Sequence, residues 1–372
     1  MSAACALAVP AVALADFPYT GPGGNASDPT TWKLPAGVAP SNFGDNWKLA
    51  ATPENSPQSS LSVNGKADEL CGIRGMSVVD ANATFPSGTG SCVSAGTPVN
   101  TAFEQTLGRD DVRISELDSG IEWNNAGAMI AVRKKYWLNP GELPAPKVDL
   151  PSTFDPSTGV DCSAHAGAVG SGGDYNKAGG TRQADGSIPY DVLHQGVFNV
   201  RDYACDSRVA AVLGGSSPQS PYRHGPRGML VPEDLILAFS DGVDHDGNGF
   251  ANDIAGWNFV DNNNDPYDDV QYGHGTGEVQ DSAGEANTRS TLGTCPDCMI
   301  MELRVGESFI ADVNRFAQAV LYATDQGSSV IQEPLGTLNN SNFARQAIEY
   351  AYHHGTAVIA SAAAEAITAV PW

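Results

Sequence analysis

Between residues 231 and 361, short apolar runs alternate with amphipathic stretches that end in glycine. This alternation limits what the chain can fold into. "DLILAFS", "CMIMELRV", "SSVIQEPLG" and "TAVIASAA" read as buried strands. "GHGTGEVQDSAGEA", "DVNRFAQAVLYATDQG" and "NFARQAIEYAYHHG" read as helices. In the second of these, Asp312 is the expected N-cap and Gly327 the stop, and Val313, Phe316, Ala317, Val320, Leu321 and Ala323 share one apolar face. Strands in strict alternation with helices predict an α/β fold, a doubly wound and mostly parallel sheet with helices on both faces. Ligands in such sheets bind outside the carboxyl ends of the strands, so chemistry is expected there.

The rest of the chain is organised around that unit. Residues 16–105 are rich in Gly, Pro, Ser, Asn and Thr and carry no sustained period; they read as a loop-rich segment, a propeptide or an arm. The main domain is expected over 106–372, incomplete, with a long loop insertion at about 140–230 that contains "GAVGSGGDYNKAGGTRQADG". Residues 1–15 form an apolar run ending in Ala13-Leu14-Ala15, which has the form of a signal-peptide cleavage site without its basic start. The run is too short to span a bilayer, so the protein is expected to be exported and not membrane-spanning. A formal net charge of −23 argues against a nucleic-acid partner, because phosphate binding needs basic patches. Six cysteines follow the signal, and an even number in an exported chain points to disulfides. Proximity suggests Cys71–Cys92, Cys162–Cys205 and Cys295–Cys298. "CPDC" lacks the second ligand pair that a structural zinc needs.

Three pieces of text fall at expected strand ends or helix starts: "LDSGI" with Asp118, "YGHGTG" with His274, and "AVIASAAAEA". A serine hydroxyl is a poor nucleophile until an imidazole takes its proton. A buried carboxylate holds that imidazole in one tautomer and stabilises it once protonated. The small residues Gly273, Gly275 and Gly277 would let a substrate backbone come close, and Thr276 could hydrogen-bond the helix start.

These motifs, in this order, resemble the subtilisin-like serine peptidases. That family carries its aspartate in Asp-Ser/Thr-Gly after a buried strand and its histidine in Gly-His-Gly-Thr at a helix start. The resemblance covers about residues 112–121 and 231–366 and implies a serine endopeptidase acting on protein or peptide substrates, with Asp118 and His274 in the triad. Asp241 in "FSDGVD" is the rival aspartate. It lies only 33 residues before His274, whereas Asp118 lies 156 before it. Its register is off by one, however, and one residue on a strand turns a side chain to the other face. A long insertion between Asp118 and His274 costs little, since closure entropy grows with the logarithm of length.

The resemblance also has departures. No Gly-Thr-Ser occurs, so the nucleophile is expected beyond Trp372, and the chain alone is expected not to cleave peptides. Ala364 stands where the family has the oxyanion-hole Asn, and Pro334 stands where it has Ser. Leu335 and Gly336, in the segment that borders the family's substrate cleft, are the expected substrate-binding residues. The alternative function is a peptidase-like, catalytically degenerate binding module, secreted and stabilised by calcium.

"DHDGNGFAND" alternates oxygen-bearing side chains around a glycine turn. Asp244, Asp246, Asn248 and Asp253 are the expected ligands of a structural Ca²⁺, although Ala255 stands where a calcium-loop glutamate would close the site. The competing reading is a hydrogen-bonded Asx-rich turn. Asp265, Asp268 and Asp269, in the next acidic run, could bind an ion or cap turns, and turn capping is the favoured reading.

Overall fold

The computed structural model describes residues 106, 108–170, 188–213, 223–285, 293–308, 310–337 and 339–361, with the backbone of two further short strands. Those two are β1 (Met76–Val78) and β2 (Cys92–Ser94), which pair antiparallel. The expected Cys71–Cys92 bridge, the signal segment and Ala364 lie outside the described residues.

The central sheet contains β3 (Arg113–Asp118), β4 (Trp257–Asn258), β5 (Met299–Arg304), β6 (Val330–Glu333) and β7 (Ala357–Ala360). Its order is β4-β5-β3-β6-β7 and every pairing is parallel. The alternating direction of strand side chains explains how both faces are filled. Leu117, Met299, Met301, Leu303 and Ile331 pack with Phe316, Ala317 and Val320 of α5 (Val313–Asp325) and with Ala344 and Ala347 of α6 (Asn342–His353). Ile114 and Ile300 join Met129 and Val132 of α1 (Ala126–Val132) and Val279 and Ala283 of α4 (His274–Ala283). Helices therefore cover both faces, as the alternation predicts.

The helix caps follow from the sequence. Asp312 accepts hydrogen bonds from the amides of Asn314 and Arg315 at 2.9 and 3.1 Å. Asp312→Ala should lower stability by about 1 kcal/mol in urea denaturation, since two orphan amides of α5 lose their acceptor.

One expected strand is a helix. "DLILAFS" belongs to α3 (Pro232–Phe239). Proline suits the first helical position, Glu233 and Asp234 fill the first turn, and Asp234 reaches back to the Val231 amide at 2.8 Å. Leu235 and Ile236 then bury against Leu138, Tyr203, Val209 and Leu230. The run is equally apolar either way, and the capping residues decide. Residues 140–230 are also more than loops where described. They include α2 (Ser207–Leu213) and three short 3₁₀ turns, and contribute most of a separate apolar cluster closed by α3. The disulfide Cys162–Cys205 staples this region, and Cys295–Cys298 forms before β5.

Two buried ion pairs tie this region down. Arg133 bonds Asp155 at 2.5 Å. Arg223 bonds Asp234 at 2.6 Å, and its guanidinium also donates to the carbonyls of Gly225, Pro226 and Met229. Among the described residues, no helix is long and apolar enough to cross a membrane.

Candidate active site

Asp118 is the last residue of β3, at the carboxyl edge of the sheet, and it is fully buried. His274 is the first residue of α4, after Gly273 in the left-handed conformation (φ 76°). The two meet side by side. His274 Nδ1 lies 2.9 Å from Asp118 Oδ2 and 3.0 Å from Oδ1, although 156 residues separate them in sequence. Burial pushes the Asp118 carboxyl up from its ordinary value, and the Ser119 amide at 2.5 Å and the His274 hydrogen bond pull it back down. A carboxylate on Nδ1 leaves Nε2 as the ring atom free to act as a base. His274 keeps a quarter of its side chain exposed.

The close approach depends on particular small residues. A side chain at Gly275 would lie 2.5 Å from the Gly120 carbonyl and 3.0 Å from Asp118 Cβ, so only glycine lets α4 sit against the strand end. Gly120 has φ +102°, and a Cβ there would strike the Pro266 carbonyl at 2.5 Å. Gly277 faces open space, so of these glycines it is Gly275 that serves helix–strand packing. Thr276 Oγ1 accepts from the Glu122 amide at 2.8 Å, which ties α4 to the loop after β3.

Asp241 is placed elsewhere. It follows a helix instead of a strand, is exposed, and bonds the His245 ring at 3.0 Å and the Val243 amide at 2.9 Å. Leu335 is buried in the sheet core, while Gly336 is exposed and its carbonyl accepts from the Ala311 amide at 2.8 Å.

Further residues complete the site, and of these the sequence singled out only Asp268, as a turn cap. Asp268 is buried, and its Oδ2 accepts from Ser119 Oγ at 3.3 Å and from the Gly273 amide at 2.8 Å, joining the two segments that carry Asp118 and His274. Glu278, one turn along α4, stands 3.9 Å from His274 Nε2 and accepts from Gln332 at 3.1 Å. Glu116 and Glu302 are paired across β3 and β5 on the same face as Asp118, and both are fully buried. Neither Glu302 oxygen has a full hydrogen bond, and Glu116 has one, from Ser282 at 3.3 Å. Burial without a cation raises both carboxyls well above the ordinary range.

The acidic loop divides differently from expectation. Asp246 and Asp253 lie together with Glu142, each offering a carboxylate oxygen within 4.8 Å of the others. Glu142 comes from over 100 residues upstream, and no local pattern marks it. Asp244 instead caps its own turn, accepting from the amides of Gly247, Asn248 and Gly249. Asn248 Oδ1 accepts from the Phe250 amide, and its Nδ2 donates to Asp253 at 2.8 Å. Burial pushes Asp253 up to about 7. Three convergent carboxylates with one held this high suit a hard divalent cation that would displace the proton.

The parallel α/β sheet thus presents a carboxylate–imidazole pair at its carboxyl edge, where domains of this class place their functional groups. The chain belongs to the subtilase family, whose model matches residues 109–366. It is 32% identical to thermitase of Thermoactinomyces vulgaris over an alignment of 163 residues that covers 39% of this chain and 57% of thermitase. It is 33% identical to a thermophilic serine proteinase of Bacillus sp. (strain AK1) over an alignment of 114 residues that covers 29% of this chain and 27% of that protein. The chain therefore spans little more than half of the first relative and about a quarter of the second.

Proposed function

We propose that the protein is an exported serine endopeptidase of the subtilisin type, acting on protein or peptide substrates, with Asp118 and His274 as two members of its triad. The supporting observation is the 2.9 Å contact between His274 Nδ1 and the fully buried Asp118. In this reading His274 Nε2 takes the proton of a serine hydroxyl as that oxygen attacks the scissile carbonyl. The same proton then passes to the leaving amine. Asp118 keeps the ring in the required tautomer and offsets its positive charge. Gly336, exposed beyond β6, would border the substrate, whereas Leu335 contributes core packing. The domain would run over 106–372, preceded by a signal at 1–15 and a propeptide or arm at 16–105. The Cys162–Cys205 disulfide agrees with export to an oxidising compartment.

The test is labelling of the full-length protein with a serine-reactive phosphonate. Labelling that is lost in His274→Ala supports a peptidase. A folded full-length protein that does not label overturns this reading in favour of a binding module.

Calcium is proposed as a structural ion held by Glu142, Asp246 and Asp253, with Asn248 beside them. At a tenfold excess over its Kd such an ion would stabilise the fold by about 1.4 kcal/mol. Thermal denaturation with calcium and with chelator should show that difference in the parent protein and lose it in Asp246→Asn. An equal calcium response in the variant would rule the site out.

A further inference from the structure

A second cluster lies at the N-terminal end of α3, and the calcium reading does not use it. His224, Glu233 and Asp265 come from three separate segments, yet each offers a ligand atom within 4.8 Å of the other two. The donor set is one imidazole and two carboxylates. Calcium seeks six to eight oxygens, whereas an imidazole with carboxylates suits zinc and its first-row neighbours.

The surroundings hold each of these side chains in place. Glu233 is fully buried, and its oxygens accept from the amides of His224 and Gly225 at 2.7 and 2.6 Å. Trp123 Nε1 donates to Asp265 Oδ1 at 2.8 Å. The His224 ring lies flat on Tyr267, with centroids 3.6 Å apart and planes 8° apart, and its Nδ1 is 2.7 Å from Glu233 Oε1. Orientation of ligands by outer hydrogen bonds is characteristic of metal centres. The neighbouring cation, Arg223, commits its guanidinium to Asp234 and to three backbone carbonyls. About a third of the His224 side chain stays exposed, which leaves an entry path and room for a water ligand.

We propose that His224, Glu233 and Asp265 bind one divalent cation of the zinc class. Its role is structural. It clips the loop before α3 to the segment at Asp265–Asp268, which is bonded in turn to the end of β3 through Ile121 and Tyr267. This brace would hold the two segments that carry Asp118 and His274.

The full chain, dialysed against chelator and kept free of reductant, is titrated with Co²⁺ and with Zn²⁺. One Co²⁺ per chain should bind with visible d–d absorption, and Zn²⁺ should displace it. His224→Ala and Asp265→Asn should each weaken binding by more than about tenfold. Circular dichroism checks that the variants fold. Asp265→Asn retains an acceptor for Trp123, so that variant carries the test should His224→Ala fail to fold. Absence of stoichiometric Co²⁺ binding, or equal binding in Asp265→Asn, overturns the site. Loss of binding in Asp246→Asn in place of Asp265→Asn assigns the ion to the Glu142 cluster and also overturns it. None of these readouts requires peptidase activity, so they stand apart from the proposed function.

Discussion

Asp118→Asn is expected to lower kcat for peptide hydrolysis by about 10⁴-fold in the full-length protein, with little change in KM. That loss corresponds to about 5.5 kcal/mol of transition-state stabilisation. The substitution is nearly isosteric, and the new side-chain oxygen can still accept from the Ser119 amide, which now bonds Asp118 at 2.5 Å. What changes is the partner of His274 Nδ1. A carboxylate accepts the proton of Nδ1, whereas an amide can present its own N–H there and drive the proton to Nε2. The ring then cannot act as a base toward a serine, and the positive charge that forms on it has no buried counter-charge. Asp241→Asn is the control. Asp241 is exposed and bonded to His245, so its loss should change kcat by less than about twofold. Steady-state kinetics on the two variants decide the matter, and a large loss in Asp241→Asn with none in Asp118→Asn would reverse the assignment.

Raising the pH from about 5 to 7 should destabilise the protein, and Glu302→Gln should reduce that sensitivity. Glu116 and Glu302 are fully buried, side by side across β3 and β5, and both are raised well above the ordinary carboxyl range, chiefly by desolvation. The folded state therefore keeps their protons where the unfolded chain has lost them. A group with a raised folded value contributes fully at low pH, and stability falls as pH climbs above the unfolded value of about 4.3. Each proton retained on folding makes the slope up to about −1.4 kcal/mol per pH unit. Urea unfolding at pH 5, 6 and 7 measures it directly. Glu302→Gln removes one of the two protons and should flatten the slope by about half of their joint share. A slope unchanged by that substitution would mean that Glu302 titrates alike in the folded and unfolded chains.

The Asp118–His274 pair was legible because each half sits in a short motif with its own local reason. "LDSGI" ends a strand in a glycine turn, and "YGHGTG" opens a helix. Their meeting is not local. It requires β3 in the middle of the sheet and Gly275 against the Gly120 carbonyl. The error at Leu235 has the opposite origin. A short apolar run has no period of its own, and Pro232, Glu233 and Asp234 made it a helix. That one change also removes the strand end on which Asp241 would have stood.

By itself, the sequence determined the α/β alternation, the cap of α5, the glycine stops of α5 and α6, and the turn chemistry around Asp118 and His274. All of these depend on residues within a few positions of one another, where periodicity and capping act. The tertiary structure alone decided which aspartate faces the histidine, that Glu142 joins Asp246 and Asp253, and that His224, Glu233 and Asp265 converge. It also decided that Glu116 and Glu302 are buried without a cation. Contacts across tens to hundreds of residues are set by which faces the packed core brings together, and no local pattern of residue types encodes them.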